Sequence, residues 1–123
     1  MLSIGTVVVG VADLHRAVAF WTQALSYVPK RALTDDDDFM ILVPVEGDGA
    51  HLALDVSESP VVPHPRIHLD LYAGDAADQT AEIARLVSLG ATRVDWDRYP
   101  EHADFVVMAD PEGNRFCVID TST

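Results

Sequence analysis

Asp38-Phe39-Met40-Ile41-Leu42-Val43 and Asp104-Phe105-Val106-Val107-Met108-Ala109 carry one pattern twice: an aspartate, then an apolar run of strand length. They are offset by 66 residues (104 − 38), and Glu46-Gly47 meets Glu112-Gly113 at the same offset. Upstream, Leu25-Ser26 sits over Leu89-Gly90 at an offset of 64, and Val11-Ala12-Asp13 over Ala73-Gly74-Asp75 at 62. Self-similarity at a long period marks a repeated structural unit. The growing offset gives the second copy a slightly longer helix.

Each copy reads the same way outward from these runs. Thr6 to Val11 is rich in β-branched residues and reads as a strand. Asp13 can cap a helix whose stripe is Leu14, Val18, Trp21 and Leu25, widened by Ala17 and Ala24, with Pro29 as its stop. A short strand is expected near Arg31 to Thr34, then strands at Phe39 to Val43 and Ala50 to Val56 around the Glu46 to Gly49 turn. In the second copy Arg66 to Tyr72 reads as a strand. A helix follows from Asp75 or Asp78 to Leu89, with Ile83 and Val87 toward the core and Gly90 ending it. Strands are expected at Ala91 to Trp96, Phe105 to Ala109 and Arg115 to Asp120.

Ser57 to Pro65 holds Pro60, Pro63 and Pro65 and reads as a linker. The expectation is a single α+β domain of residues 1–123, with modules at about 1–57 and 66–123 and a linker at about 58–65. Each module is βαβββ. The two sheets would form one cup-shaped mixed sheet, helices on the outer face and a ligand cleft in the hollow.

Composition narrows the function. Eight Lys and Arg against twenty Asp and Glu give a formal charge of −12, which repels nucleic acid and anionic lipid. It would attract a cationic ligand. No stretch approaches the roughly 18 apolar residues of a membrane span. Met1 to Val11 lacks a basic start and soon meets Asp13 and Arg16, unlike a signal peptide. One cysteine, Cys117, excludes an internal disulfide framework. A cytoplasmic location is expected. Asp35 to Asp38 reads as a solvated loop, because four adjacent carboxylates cannot converge on one ion and no EF-hand spacing follows. Phosphate-cradling glycine loops, CxxC pairs and Ser-His-Asp motifs are absent.

Three stretches carry a family resemblance. They are Val11-Ala12-Asp13-Leu14 with Ala17, Phe20-Trp21 and Leu25-Ser26-Tyr27; Arg66-Ile67-His68-Leu69-Asp70-Leu71 leading to Leu89-Gly90-Ala91; and Asp110-Pro111-Glu112-Gly113-Asn114-Arg115-Phe116-Cys117-Val118. In this order they resemble the glyoxalase and bleomycin-resistance branch of the vicinal oxygen chelate superfamily, above all its small glyoxalase-like domain proteins. The resemblance implies metal-ligand places on the first and last strand of each unit. They fall on Thr6, Ala53, His68 and Cys117. Only His68 retains a ligand of the usual kind, so no metal or other cofactor is expected there. A rearranged divalent-metal site recruiting Asp70 is the alternative, with His51 also on the cleft face of its strand.

His68 and Asp70 share a strand face by alternation. They form either a local hydrogen-bonded pair or a cleft dyad in which Asp70 orients His68 as a general base. Arg66, on the same face, could hold a carboxylate. Trp96 and Tyr99, among the acidic neighbours of the Asp95 to His102 loop, either stack on a flat or cationic ligand or pack on their own domain or on a second subunit. The ligand-binding set is therefore Thr6, Ala53, Arg66, His68, Asp70, Trp96, Tyr99 and Cys117, with His68 the catalytic candidate. The resulting reading is a protein that binds a small aromatic or cationic molecule. The alternatives are a lyase or isomerase acting on a small oxygenated substrate, and an interaction domain with a vestigial cleft. The resemblance implies a homodimer.

Overall fold

The computed structural model describes residues 1–122; Thr123, the end of the expected second module, lies outside them. The chain forms two compact units, Met1–Pro60 and the remainder from Val61, and they divide within the proline-rich stretch. Unit one runs β1 (Thr6–Val11), α1 (Leu14–Leu25), β2 (Tyr27–Pro29), β3 (Phe39–Pro44) and β4 (His51–Val56). Unit two runs β5 (Leu69–Gly74), α2 (Ala76–Ser88), β6 (Thr92–Arg93), β7 (Phe105–Ala109) and β8 (Arg115–Asp120). The sheet orders are β1-β4-β3-β2 and β5-β8-β7-β6. In each, the first strand lies parallel to the last and the remaining pairs are antiparallel. The architecture is α+β, with the same βαβββ order in both units.

Register makes the repeat concrete. Ala53 lies opposite Val8 on one side and Ile41 on the other. Cys117 lies opposite Asp70 and Val107. These triplets are related by the same offsets of 62, 64 and 66 that the sequence carries. In both units the last strand is central and inherits its neighbours from both sides.

Helix α1 starts because the Asp13 carboxylate accepts the Arg16 N–H at 3.1 Å. Its buried stripe, Leu14, Ala17, Val18, Trp21 and Ala24, packs on β2, β3 and β4 above Met40, Leu42 and Leu54. Burying each large apolar side chain contributes about 1.5–3 kcal/mol. The helix ends at Ser26, in the left-handed region with φ 55°, three residues before the expected stop. Pro29 instead lies in β2, an edge strand, where a missing N–H leaves no ladder bond unmade. No strand forms at Arg31 to Thr34. That segment is a loop closed by Arg31, whose guanidinium grips Asp37 at 3.0 and 2.9 Å. Thr34 N–H also donates to Asp37, at 2.6 Å. These partners hold the Asp37 carboxyl well below the usual carboxylate range, so one member of the acidic run is a structural clamp.

Helix α2 opens on a reciprocal capping box between Asp75 and Asp78. It closes as expected on Gly90, at φ +115°, with Ala91 N–H bonded to Leu86 O and Gly90 N–H to Val87 O, both at 3.0 Å. Its core residues are Ile83 and Leu86; Val87 is 49% exposed, because Leu86 sits one turn from Ile83 on the stripe facing the sheet. Strand β5 begins at Leu69 rather than Arg66. The expected strand at Ala91 to Trp96 shrinks to Thr92–Arg93. The turn before β8 is pinned by buried Asp110, whose carboxylate accepts the Glu112 and Asn114 N–H groups, each at 2.9 Å.

Two outcomes are expected in urea unfolding. Gly90→Ala should cost about 1–3 kcal/mol, from the left-handed backbone and a Cβ 3.3 Å from Pro111; an unmoved midpoint would refute this closure of α2. The stabilisation from Asp37, whose pKa is lowered on folding, is complete above the unfolded carboxylate pKa of about 4 and is lost as pH falls. The stability gap between the wild type and Asp37→Asn should therefore hold steady at neutral pH and close in acid.

Candidate binding site of the second unit

Alternation along three adjacent strands builds one face of unit two. His68 precedes β5, and Asp70 and Tyr72 follow at two-residue steps. Arg115, Cys117 and Ile119 step along β8, and Phe105 and Val107 along β7. Met108 and Val118, one residue out of phase, are fully buried. Residues of this face, with Trp96, Arg98 and Asp104, line a cavity of about 500 Å³.

His68 Nε2 lies 3.0 Å from Asp70 Oδ1, and both side chains are roughly half exposed. The donor atoms of His68, Asp70 and Cys117 all fall within 4.8 Å of one another. Cys117 is buried, and burial pushes its thiol up to about 11, with the Asp70 charge adding to the rise. The metal-free thiol is thus protonated at neutral pH, the opposite of an activated nucleophile.

Trp96 is held from behind. Its ring centroid lies 4.8 Å from that of His64, whose Nε2 is 3.4 Å from Asp97 Oδ1 and holds the Asp97 carboxyl low. Tyr99 works differently. Its hydroxyl accepts the Val107 N–H at 2.8 Å, and its ring packs on Phe105 at 5.3 Å. Val107 O accepts the Val94 N–H, so both polar groups of Val107 point toward the side of β6. Where β6 stops, the phenol replaces a strand partner. Tyr99 is not among the lining residues.

Of the expected binding residues, the structure brings together His68, Asp70, Trp96 and Cys117. Arg66 is exposed, precedes β5 and does not line the cavity, so strand alternation gives it no face. Thr6 and Ala53 belong to unit one. Ala53 is fully buried between Val8 and Ile41, and Thr6 stands opposite His51. Unit one's own cavity, about 490 Å³, is lined by Leu25, Tyr27, Pro44 and their neighbours and includes none of the expected residues. Sequence reading missed Tyr72, Arg98, Phe105 and Arg115. Parity could have found three of them: Tyr72 is two beyond Asp70, Phe105 two before Val107, and Arg115 two before Cys117. Arg115 Nη1 donates to Gly113 O at 2.8 Å, and its buried Nε has no hydrogen-bond partner among the described residues.

The family model for the Glyoxalase-like domain matches residues 6–119. This chain belongs to that family. The glyoxalase-like fold recurs in a glyoxalase/bleomycin resistance protein/dioxygenase family enzyme from Burkholderia phytofirmans, with TM-score 0.73, 14% identity, and 97% and 98% of the two chains covered. A glyoxalase-related enzyme from Fulvimarina pelagi aligns with TM-score 0.71 at 15% identity, over 98% of this chain and 89% of that one. A possible glyoxalase from Bacillus cereus aligns with TM-score 0.70 at 19% identity, over 97% and 99%. No curated protein sequence matches the chain. Membership places it in the vicinal oxygen chelate superfamily; at these identities the solved structures carry the fold and nothing finer. No helix among the described residues is long and apolar enough to cross a membrane.

Tyr99→Phe isolates the hydroxyl that substitutes for β6. It should cost about 1–3 kcal/mol in urea unfolding, the penalty for orphaning a part-buried N–H. An unchanged midpoint would show that the Val107 N–H finds another partner.

Proposed function

We propose that this glyoxalase-like protein binds a small aromatic molecule carrying an oxygenated acidic group in the cavity of unit two. The carrying observation is the composition of that cavity: Tyr72, Trp96 and Phe105 stand among its lining residues beside His68, Arg98 and Arg115. A volume of about 500 Å³ suits a small ligand. Trp96 offers a ring face, and its His64 backing fixes its pose before binding. Arg98 and Arg115 are balanced within the lining by Asp70 and Asp104. The chain's charge of −12 is therefore not concentrated here, and attraction for cations is not the guiding force.

The usual superfamily metal site does not fit these residues. Ala53 offers only a methyl group and is fully buried, and Thr6 offers a hydroxyl, a poor ligand for zinc, nickel or iron. Binding is accordingly proposed without the four-donor site.

One observation favours a second reading, a lyase or isomerase. His68 Nε2 lies 3.0 Å from the Asp70 carboxylate; a proton on Nε2 would be donated there and would leave Nδ1 as an acceptor. Such a base would take a proton from a carbon next to a carbonyl and return it elsewhere on the same substrate.

A thermal-shift panel on chelator-treated protein separates these ligand classes. Aromatic carboxylates should stabilise the chain by about 2.7 kcal/mol at a hundredfold excess over Kd. Aromatic ammonium ions should not, and Trp96→Ala should weaken the effect. Stabilisation by the cations alone, or shifts indifferent to Trp96→Ala, would overturn the ligand assignment.

A further inference from the structure

We propose that His68, Asp70 and Cys117 form a three-donor site for a zinc-class dication, built by unit two alone and completed by Asp70. Asp70 falls at none of the four ligand places that the superfamily pattern assigns. It reaches the cluster through strand register: parallel pairing of β5 with β8 puts Asp70 directly opposite Cys117. His68 arrives by alternation, two residues earlier. At the counterpart positions of unit one stand Thr6, Val8 and Ala53, so the first copy has no equivalent.

The donor set selects the ion. An imidazole nitrogen, a carboxylate oxygen and a sulfur together suit zinc or cobalt(II), whereas sulfur disfavours magnesium and calcium. Around a tetrahedral zinc at ordinary bond lengths, such donors stand roughly 3.3 to 3.7 Å apart. Here the imidazole and carboxylate are already 3.0 Å apart and all three donors lie within 4.8 Å, so side-chain adjustments of about an ångström close the site. Burial fits as well: Cys117 lies deep, while His68 and Asp70 stand half exposed toward the cavity. An ion enters past the two outer ligands, seats on sulfur and keeps its fourth position open to the cavity. That is the arrangement of an open, reactive site rather than a closed structural one.

The proposal does not depend on the ligand reading above, since the ion is assayed with no small molecule present. The chain, stripped with chelator and desalted, is titrated with cobalt(II) and then zinc. One ion should bind per chain, with a near-ultraviolet thiolate-to-cobalt charge-transfer band that zinc abolishes. Cys117→Ala should eliminate the band, and Cys117→Ser, closer in size, should do the same if the alanine variant folds poorly. Asp70→Asn should weaken cobalt binding by about tenfold or more, since losing even a group that only supports a ligand costs that much. His15→Ala, a surface change on α1, should leave binding intact, and circular dichroism should show every variant folded. Failure to bind cobalt, binding without the sulfur band, or full affinity in Asp70→Asn would overturn the site.

Discussion

Everything specific to this protein depends on how the last strand of each unit is gripped from both sides. β8 runs parallel to β5 and antiparallel to β7, and β4 stands likewise between β1 and β3. Two different hydrogen-bond ladders fix one strand at once. A slip of one residue would turn every side chain of β8 to the wrong face, burying Arg115 and Cys117 against α2 and exposing Phe116 and Val118. The apolar positions Phe116 and Val118, nearly inaccessible to water, oppose that slip. The polar face is thereby held in place by the apolar one.

The two units show what one backbone does with two sets of side chains. Unit one fills the strand positions with valine and alanine: Val8 faces Ala53, which is sealed. Unit two sets an aspartate opposite a cysteine at the same crossing. The crossing in unit one is apolar, with Val8 about half exposed, whereas that of unit two carries a carboxylate and a thiol, groups that proteins keep at some expense of stability only where they are used. A duplicated fold can divide these tasks between its copies.

Much of this was legible from the chain itself. The doubled Asp-Phe run and its offsets anticipated the shared topology, and the strands Thr6–Val11, Phe105–Ala109 and Arg115–Asp120 were read to the residue. The Asp75 and Gly90 signals bounded α2 because capping is local chemistry. The misses have one origin, which is that tertiary partners decide edge strands. β2 exists because Tyr27 to Pro29 meet β3, and β6 is brief because Tyr99 takes over its role. Neither fact leaves a local trace. At the site, alternation and the family pattern point to His68, Asp70 and Cys117, the aromatic loop points to Trp96, and all four line one cavity. Arg66 was not, because alternation was extended beyond where the strand begins. Arg98 lies on a loop, where no periodicity could have placed it.

The proline-rich stretch has a consequence for how the cavity keeps its form. It does not merely space the units, since His64 rests on Trp96 and Val61 fills the room left by the missing side chain of Gly113. Pro63 and Pro65 restrict the backbone on either side of His64, so this buttress gives up little freedom on folding. One wall of the cavity is thus braced by a segment that forms no helix or strand of its own. Its stiffness is written into the covalent rings of its prolines.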